Sequence, residues 1–170
     1  MRLILGIGNP GNKYIRNRHN IGFMMLDYFA DKASLSFIPS KNDYYYTKGK
    51  INNSNFLLVK PTTYVNNSGF VANYLFEKYK LDISDFLVVI DDVNLQTGTL
   101  RLKRSGGDGG HNGMSSIIYH LQDDQFPRLK IGVGSNFEKG NMVNYVLGDF
   151  SDEEFTELKP SFEDGVFLLN

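Results

Sequence analysis

The chain has 170 residues, 41% hydrophobic and 22% charged, which bounds it to one ordinary globular domain and excludes a disordered protein. It has no cysteine, so disulfide frameworks and thiolate chemistry are ruled out. The formal charge of −1 hides a split: residues 1–148 carry 17 bases and 12 acids, whereas residues 149–170 carry seven acids and a single base, Lys159. Such a body can bind phosphates locally while the total stays near neutral.

Residues 2–8, RLILGIG, form an apolar run stopped by Asn9, Pro10 and Gly11, expected as a buried strand feeding a loop. This opening is too short and too soon broken for a signal peptide, and no stretch approaches the roughly 18 apolar residues of a membrane span. From Asn20, the expected N-cap, IGFMMLDYFADKASL has helical spacing. YYYTKGKI and NFLLVK, separated by residues 52–54, read as an antiparallel hairpin. A polar loop after Pro61 opens a helix over residues 69–79, and DFLVVIDD reads as a central strand with Asp91 and Asp92 at its exit. TGTLRLKR alternates as a strand, SGGDGGHNG is a Gly-rich loop, MSSIIYHLQ a short helix and PRLKIGVG a further strand. The remainder is acidic and helical, with Ser151 and Glu154 spaced as a capping box and Pro160 expected to break or kink it. The pattern predicts an α/β fold: a single domain over 1–170 with a mixed sheet, parallel at its centre, and helices on both faces. Residues 151–170 form its acidic helical end.

Polar clusters stand where strands end: Asn9 to Gly11, Arg18 to Asn20, Val65 to Gly69, Asp91 with Asp92, and the loop 106–113 holding His111 and Asn112. Ligands of open α/β sheets bind beyond the carboxyl ends of strands, so several of these clusters can converge. With three histidines, and His19 and His111 far apart without ligand spacing, no metal site is expected. Ser68 has no nucleophile-elbow context. A histidine, an aspartate able to orient it and several carboxamides suit a general base acting on water, with neutral donors for a developing oxyanion. Gly6 to Gly11 also match a dinucleotide-binding pattern, but the helix comes about two turns too late, and the acids expected on a second strand fall in that helix as Asp27 and Asp31. Each residue alone has a plainer use, as a helix cap for His19, a turn former for Asn66 or Asn112, and a strand-end cap for Asp91. His120, late in its helix, reads as a surface residue that compensates the helix dipole.

Together the clusters resemble the bacterial-type peptidyl-tRNA hydrolase family. The matching segments are GIGNPGxxY (6–14), RxRHNIG (16–22), KPTTYVNNSG (60–69), VVIDD (88–92) and GGDGGHNG (106–113), in the family's order and spacing from about residue 2 to 150. The resemblance implies hydrolysis of the ester joining a peptide to tRNA. His19 matches the catalytic base, Asp91 the carboxylate that stabilises its basic form, and Asn9 the residue that discriminates N-blocked from free aminoacyl groups. Tyr14, Tyr64, Asn66 and Asn112 match positions contacting the tRNA end and the first peptide residue; His111 lies in the same signature with a supporting role. Lys103 and Lys130 resemble a basic pair that clamps the tRNA 5′ phosphate, within a stripe completed by Arg101, Arg104 and Arg128. The implied partner is tRNA, with no cofactor, no metal and no membrane, in a cytoplasmic monomer. Val65, Asn94, Asp108 and Lys130 depart from the family's usual residues, and the C-terminal segment is short for the family. A non-catalytic RNA-binding relative of the same fold is the alternative; joint retention of His19, Asp91, Asn9, Asn66 and Asn112 favours the enzyme.

Overall fold

The computed structural model describes residues 1–51 and 53–169. Its strands are β1 (Arg2–Gly6), β2 (Ile38–Pro39), β3 (Tyr44–Ile51), β4 (Ser54–Pro61), β5 (Phe86–Asp92), β6 (Leu100–Lys103) and β7 (Arg128–Gly132). Its helices are α1 (Ile21–Lys32), α2 (Ser68–Tyr79), α3 (Asn112–Leu121), α4 (Met142–Val146) and α5 (Asp152–Leu169). The strands form one sheet in the order β2-β3-β4-β1-β5-β7-β6. β1 pairs in parallel with β4 and β5, and β5 with β7, while β2, β3 and β6 run antiparallel at the two sides. The predicted mixed sheet with a parallel centre is therefore what forms. β3 and β4 make the expected hairpin; residue 52, expected between the two strands, lies outside the described residues.

Side chains alternate across the central strands, so each strand feeds two cores. Leu3, Leu5, Val88 and Ile90 pack on one face with Val71 and Leu75 of α2 and Met114 and Ile117 of α3. Ile4, Leu58 and Val89 pack on the other with Met25, Leu26 and Phe29 of α1 and Leu158 and Phe162 of α5. Helices cover both faces, which is why the strands are nearly continuous apolar runs.

Two local expectations need correction. Asn20 stands at the N-cap of α1, but its side chain makes no capping bond. Its Oδ1 accepts the Asn9 N–H and its Nδ2 donates to the Asn9 carbonyl, both at 2.9 Å, so it ties the first loop to the start of α1. Pro160 does not break α5, which runs through it unbroken. Pro160 and Thr156 both lie on the exposed face, where water can take the carbonyl that the proline ring leaves without a donor. The capping box forms: Ser151 N–H donates to Glu154 Oε2 at 2.7 Å, and Glu154 N–H donates to Ser151 Oγ at 3.2 Å.

Candidate active site

β1 and β5 lie side by side, and their carboxyl ends deliver Asn9 and Asp91 to one edge. α1 starts directly above them. Gly22 permits this: a Cβ there would stand 2.5 Å from the Val89 carbonyl oxygen and 2.6 Å from that of Ile7, both backbone atoms that cannot yield. The single turn before α1, Arg18–Asn20, thereby holds His19 over Asp91. The turn Val65–Asn67 after β4 and the start of α3 close the other side. Between them is a cavity of about 650 Å³. Asn9, Tyr14, His19, Tyr64, Asn66, Asp91, His111, Asn112 and Lys130 all line it, whereas Lys103, Arg101, Arg104 and Arg128 do not.

His19 Nδ1 is 2.9 and 3.0 Å from the two oxygens of Asp91. His111, from the Gly-rich loop, sits on the same carboxylate, its Nε2 2.8 Å from Asp91 Oδ1. The two imidazoles, 72 and 20 residues from Asp91 along the chain, have ring centroids 4.9 Å apart. Sequence spacing had set them far from each other; the fold brings them together. The three side chains offer ligand-type atoms within 4.8 Å of one another. His19 Nδ1 and His111 Nε2 are each within hydrogen-bond distance of the Asp91 carboxylate.

The electrostatics follow from this arrangement. Burial alone would lower the pKa of His19, but the charge of Asp91 and its hydrogen bond outweigh that, and His19 ends above the usual imidazole value. Burial would raise the pKa of Asp91; His111, then His19, overcome this and hold it well below the usual carboxylate range. Asp91 is an anion shared by two rings. With Nδ1–H on the carboxylate, His19 leaves Nε2 toward the cavity.

Asn9 is fixed from three sides. Its backbone is held by Asn20, and its Oδ1 accepts the Val65 N–H at 2.9 Å. Only its Nδ2 is left for the cavity. Val65, one of the departures from the family pattern, is buried and contributes a backbone donor that its side chain does not alter. Asn66 and Asn112 are exposed at the cavity wall. Tyr64, 55% exposed, meets Tyr14 edge-on with centroids 6.5 Å apart at the rim.

Lys130 Nζ pairs with Asp92 Oδ2 at 2.9 Å, and Asp92 Oδ1 accepts the Asn94 N–H at 2.8 Å. Asp108 lines the cavity, but its Oδ1 accepts the Gly110 N–H at 2.8 Å, turning that charge partly into its own loop. Lys103 is exposed on β6, outside the cavity, opposite Arg128; Arg101 is opposite Lys130. The register puts all four on one face of the β6–β7 pair. Arg128 is a correction to the basic stripe. It is 1% exposed and donates to the carbonyls of Gly106, Gly107, Asp124 and Phe126, holding the loop instead of facing outward. His120 is a correction too: half-buried against Phe70, it bonds through Nδ1 to the Ser116 carbonyl at 2.8 Å.

Two features escaped the sequence reading. Met142, Val143, Val146 and Leu147, from α4 and its end, form an apolar wall of the cavity; the only signal was the run MVNYVL. Arg18, beside His19, is clamped from the far end of the chain. It donates to both Glu154 oxygens at 2.9 and 3.0 Å and to the Tyr145 carbonyl at 3.2 Å, with its guanidinium 4.3 Å from the Tyr145 ring centroid. That clamp links the turn bearing His19 to α4 and to the first turn of α5.

An α/β sheet with a polar crevice at the carboxyl ends of its central strands has the layout of a small-substrate or nucleotide-handling enzyme, and comparison with known proteins places this one among the hydrolases. A family model described as peptidyl-tRNA hydrolase matches residues 3–169, and the chain belongs to that family. A protein of Lachnospira eligens named peptidyl-tRNA hydrolase is 45% identical over 159 residues, covering 94% of this chain and 86% of the relative. One of Alkaliphilus metalliredigens with the same name is 41% identical over 163 residues, covering 96% and 88%. The crystal structure of peptidyl-tRNA hydrolase from Acinetobacter baumannii superimposes with a TM-score of 0.92 at 32% identity, over 98% of this chain and 85% of that one.

Proposed function

We propose that the chain hydrolyses the ester between a peptide and the 3′ end of tRNA, with His19 as general base on water. The observation that carries this reading is the 2.9 Å contact of His19 Nδ1 with Asp91. It fixes the tautomer and leaves Nε2 free to accept a proton, the part an aspartate plays in a triad that has lost its serine. An ester is activated enough for water, so no covalent nucleophile is needed.

Nε2 takes a proton from water as the oxygen attacks the peptide's C-terminal carbonyl carbon. Amide N–H groups of Asn66 or Asn112 meet the tetrahedral oxyanion. The bond from carbon to the ribose oxygen then breaks, that oxygen takes the proton back from the imidazolium, and peptide carboxylate and tRNA hydroxyl leave. Asp91 shares the charge of the imidazolium while it exists.

Asn9 supports selection for a blocked amino group. Because Val65 occupies its Oδ1, it offers the cavity a donor and no acceptor. A peptide carbonyl can accept from that donor; a free ammonium, itself only a donor, is left unpaired. Tyr14 and Tyr64 offer ring faces to the tRNA end, and Lys103, Lys130, Arg101 and Arg104 offer charge to its phosphates. The enzyme works as a cytoplasmic monomer without metal or cofactor; no helix among the described residues is long and apolar enough to cross a membrane.

The decisive experiment is deacylation of N-acetyl-aminoacyl-tRNA beside the unacetylated form. His19→Ala is expected to fold, to bind tRNA, and to lose roughly 10²-fold or more in turnover. Near-normal turnover by that variant would remove His19 as the base. Binding of tRNA by the parent protein without cleavage would instead make it an RNA-binding relative.

A further inference from the structure

His111 belongs to a loop, is 111 residues into the chain, and has no obvious chemical task in ester hydrolysis once His19 is the base. Its geometry is nonetheless fully determined. It occupies the N-cap position of α3, and its Nδ1 accepts the Met114 N–H at 3.3 Å. A ring nitrogen that accepts carries no hydrogen, so the proton of neutral His111 is on Nε2. That Nε2 lies 2.8 Å from Asp91 Oδ1, the oxygen that also stands 2.9 Å from His19 Nδ1. The helix cap therefore sets the tautomer, and the tautomer sets the direction of the bond: His111 donates to Asp91.

We infer that His111 is a positioning residue that governs the basicity of His19 by sharing the Asp91 carboxylate with it: His111 draws on Oδ1, while His19 Nδ1 spans Oδ1 and Oδ2 at 2.9 and 3.0 Å. A carboxylate with one imidazole partner would lend that partner its full charge and its best lone pairs. Here a second N–H draws on Oδ1 permanently. This has two effects on the reaction. It holds the buried Asp91 ionised and unrotated while His19 is neutral, and it weakens the pull that Asp91 exerts on a proton at His19. A base too strongly stabilised in its protonated form would be occupied at neutral pH; His111 keeps it available.

The remaining charges around the pair are committed elsewhere. Asp92 pairs with Lys130 of β7, Asp108 bonds within its own loop, and Arg18 is engaged by Glu154 and the Tyr145 carbonyl. Tyr14 and Tyr64 stand at the rim, and α4 with its end presents only Met142, Val143, Val146 and Leu147 to the cavity. None of these changes when His111 is replaced.

The functions of the two ring nitrogens can be separated. The Asn carboxamide reaches about as far as Nδ1, so His111→Asn keeps a good helix cap and loses the bond to Asp91. The Gln carboxamide reaches about as far as Nε2, so His111→Gln keeps a donor to Asp91. The titration midpoint of the His19 ring, followed by NMR in the free protein, is expected to rise by roughly one unit in His111→Asn. It is expected to stay near the parental value in His111→Gln. The acid limb of kcat/KM moves by the same amount, to higher pH. An unmoved His19 midpoint in His111→Asn overturns the inference, and so does an equal shift in both variants, which would report loss of the ring alone. The inference about rate rests on His19 being the base, but the NMR midpoint does not. A shifted midpoint with an unshifted rate profile would spare the role of His111 and unseat His19 instead.

Discussion

Asn9 Oδ1 accepts the backbone N–H of Val65 at 2.9 Å, and this one bond decides which end of the Asn9 carboxamide the substrate meets. Asn9→Asp keeps an acceptor for Val65 and replaces the remaining N–H group with oxygen. The variant is expected to fold, to lose about 10²-fold in kcat/KM on N-acetyl-aminoacyl-tRNA, and to narrow its preference over the free aminoacyl form. Parallel kinetics on the two substrates measure both effects. A variant that keeps the parental ratio would place the discrimination elsewhere.

The pH profile tests the shared carboxylate directly. His19 acts as a base only when unprotonated, and its pKa lies above the ordinary 6.5. The rate is thus expected to fall as pH drops through a midpoint above that value. In Asp91→Asn the negative charge is gone and burial alone acts on His19, which lowers its pKa. The acid limb then moves to lower pH, while the plateau rate falls because the imidazolium has lost its counter-charge. A limb that moved upward would contradict the sign of the interaction. For stability the raised His19 pKa works in the opposite sense. Its contribution is present below the unfolded pKa and is lost as pH rises through the folded one.

Much of this was readable before any coordinates, for a physical reason. Apolar runs such as LILGIG and LVVIDD are buried on both faces, so their pattern announces a parallel core, and the polar residues that stop them fall at the edge where ligands bind. The pairing of His19 with Asp91 came through motif resemblance; no spacing rule joins residues 72 apart. What stayed hidden depended on where a side chain points. Arg128 looks like its neighbours in a basic stripe, yet it turns into the loop; Asn20 has the type and place of a cap, yet its amide serves Asn9. The second partner of Asp91 was hidden for the same reason, since a place in a Gly-rich loop does not say where the His111 ring points.

Gly22 offers a test of how the fold aims the base. A methyl group there meets the carbonyl oxygens of Val89 and Ile7, so α1 must move off the sheet, carrying the His19 turn with it. Gly22→Ala is expected to cost about 1–3 kcal/mol in denaturant unfolding. Because the shift separates His19 from Asp91, kcat should also fall well beyond what the unfolded fraction accounts for. Full specific activity per folded molecule would show that α1 can retreat without disturbing the site.

Arg128 separates holding the loop from holding the RNA. Its guanidinium is the common donor to four backbone carbonyls around the Gly-rich loop, and removing it takes a donor from each of them and leaves a gap where a buried side chain stood. Arg128→Ala is therefore expected to lower stability by about 3 kcal/mol. The dependence of tRNA affinity on salt should be unchanged at temperatures where the variant is folded, since Arg128 contributes no exposed charge. Lys103→Ala is expected to do the reverse. Its side chain is exposed on β6, so unfolding is barely affected, while the slope of log affinity against log salt decreases by about one contact's worth. Measuring both variants by both methods yields a crossed pattern if Lys103 touches phosphate and Arg128 does not. A reduced salt slope for Arg128→Ala would return that residue to the RNA-binding face.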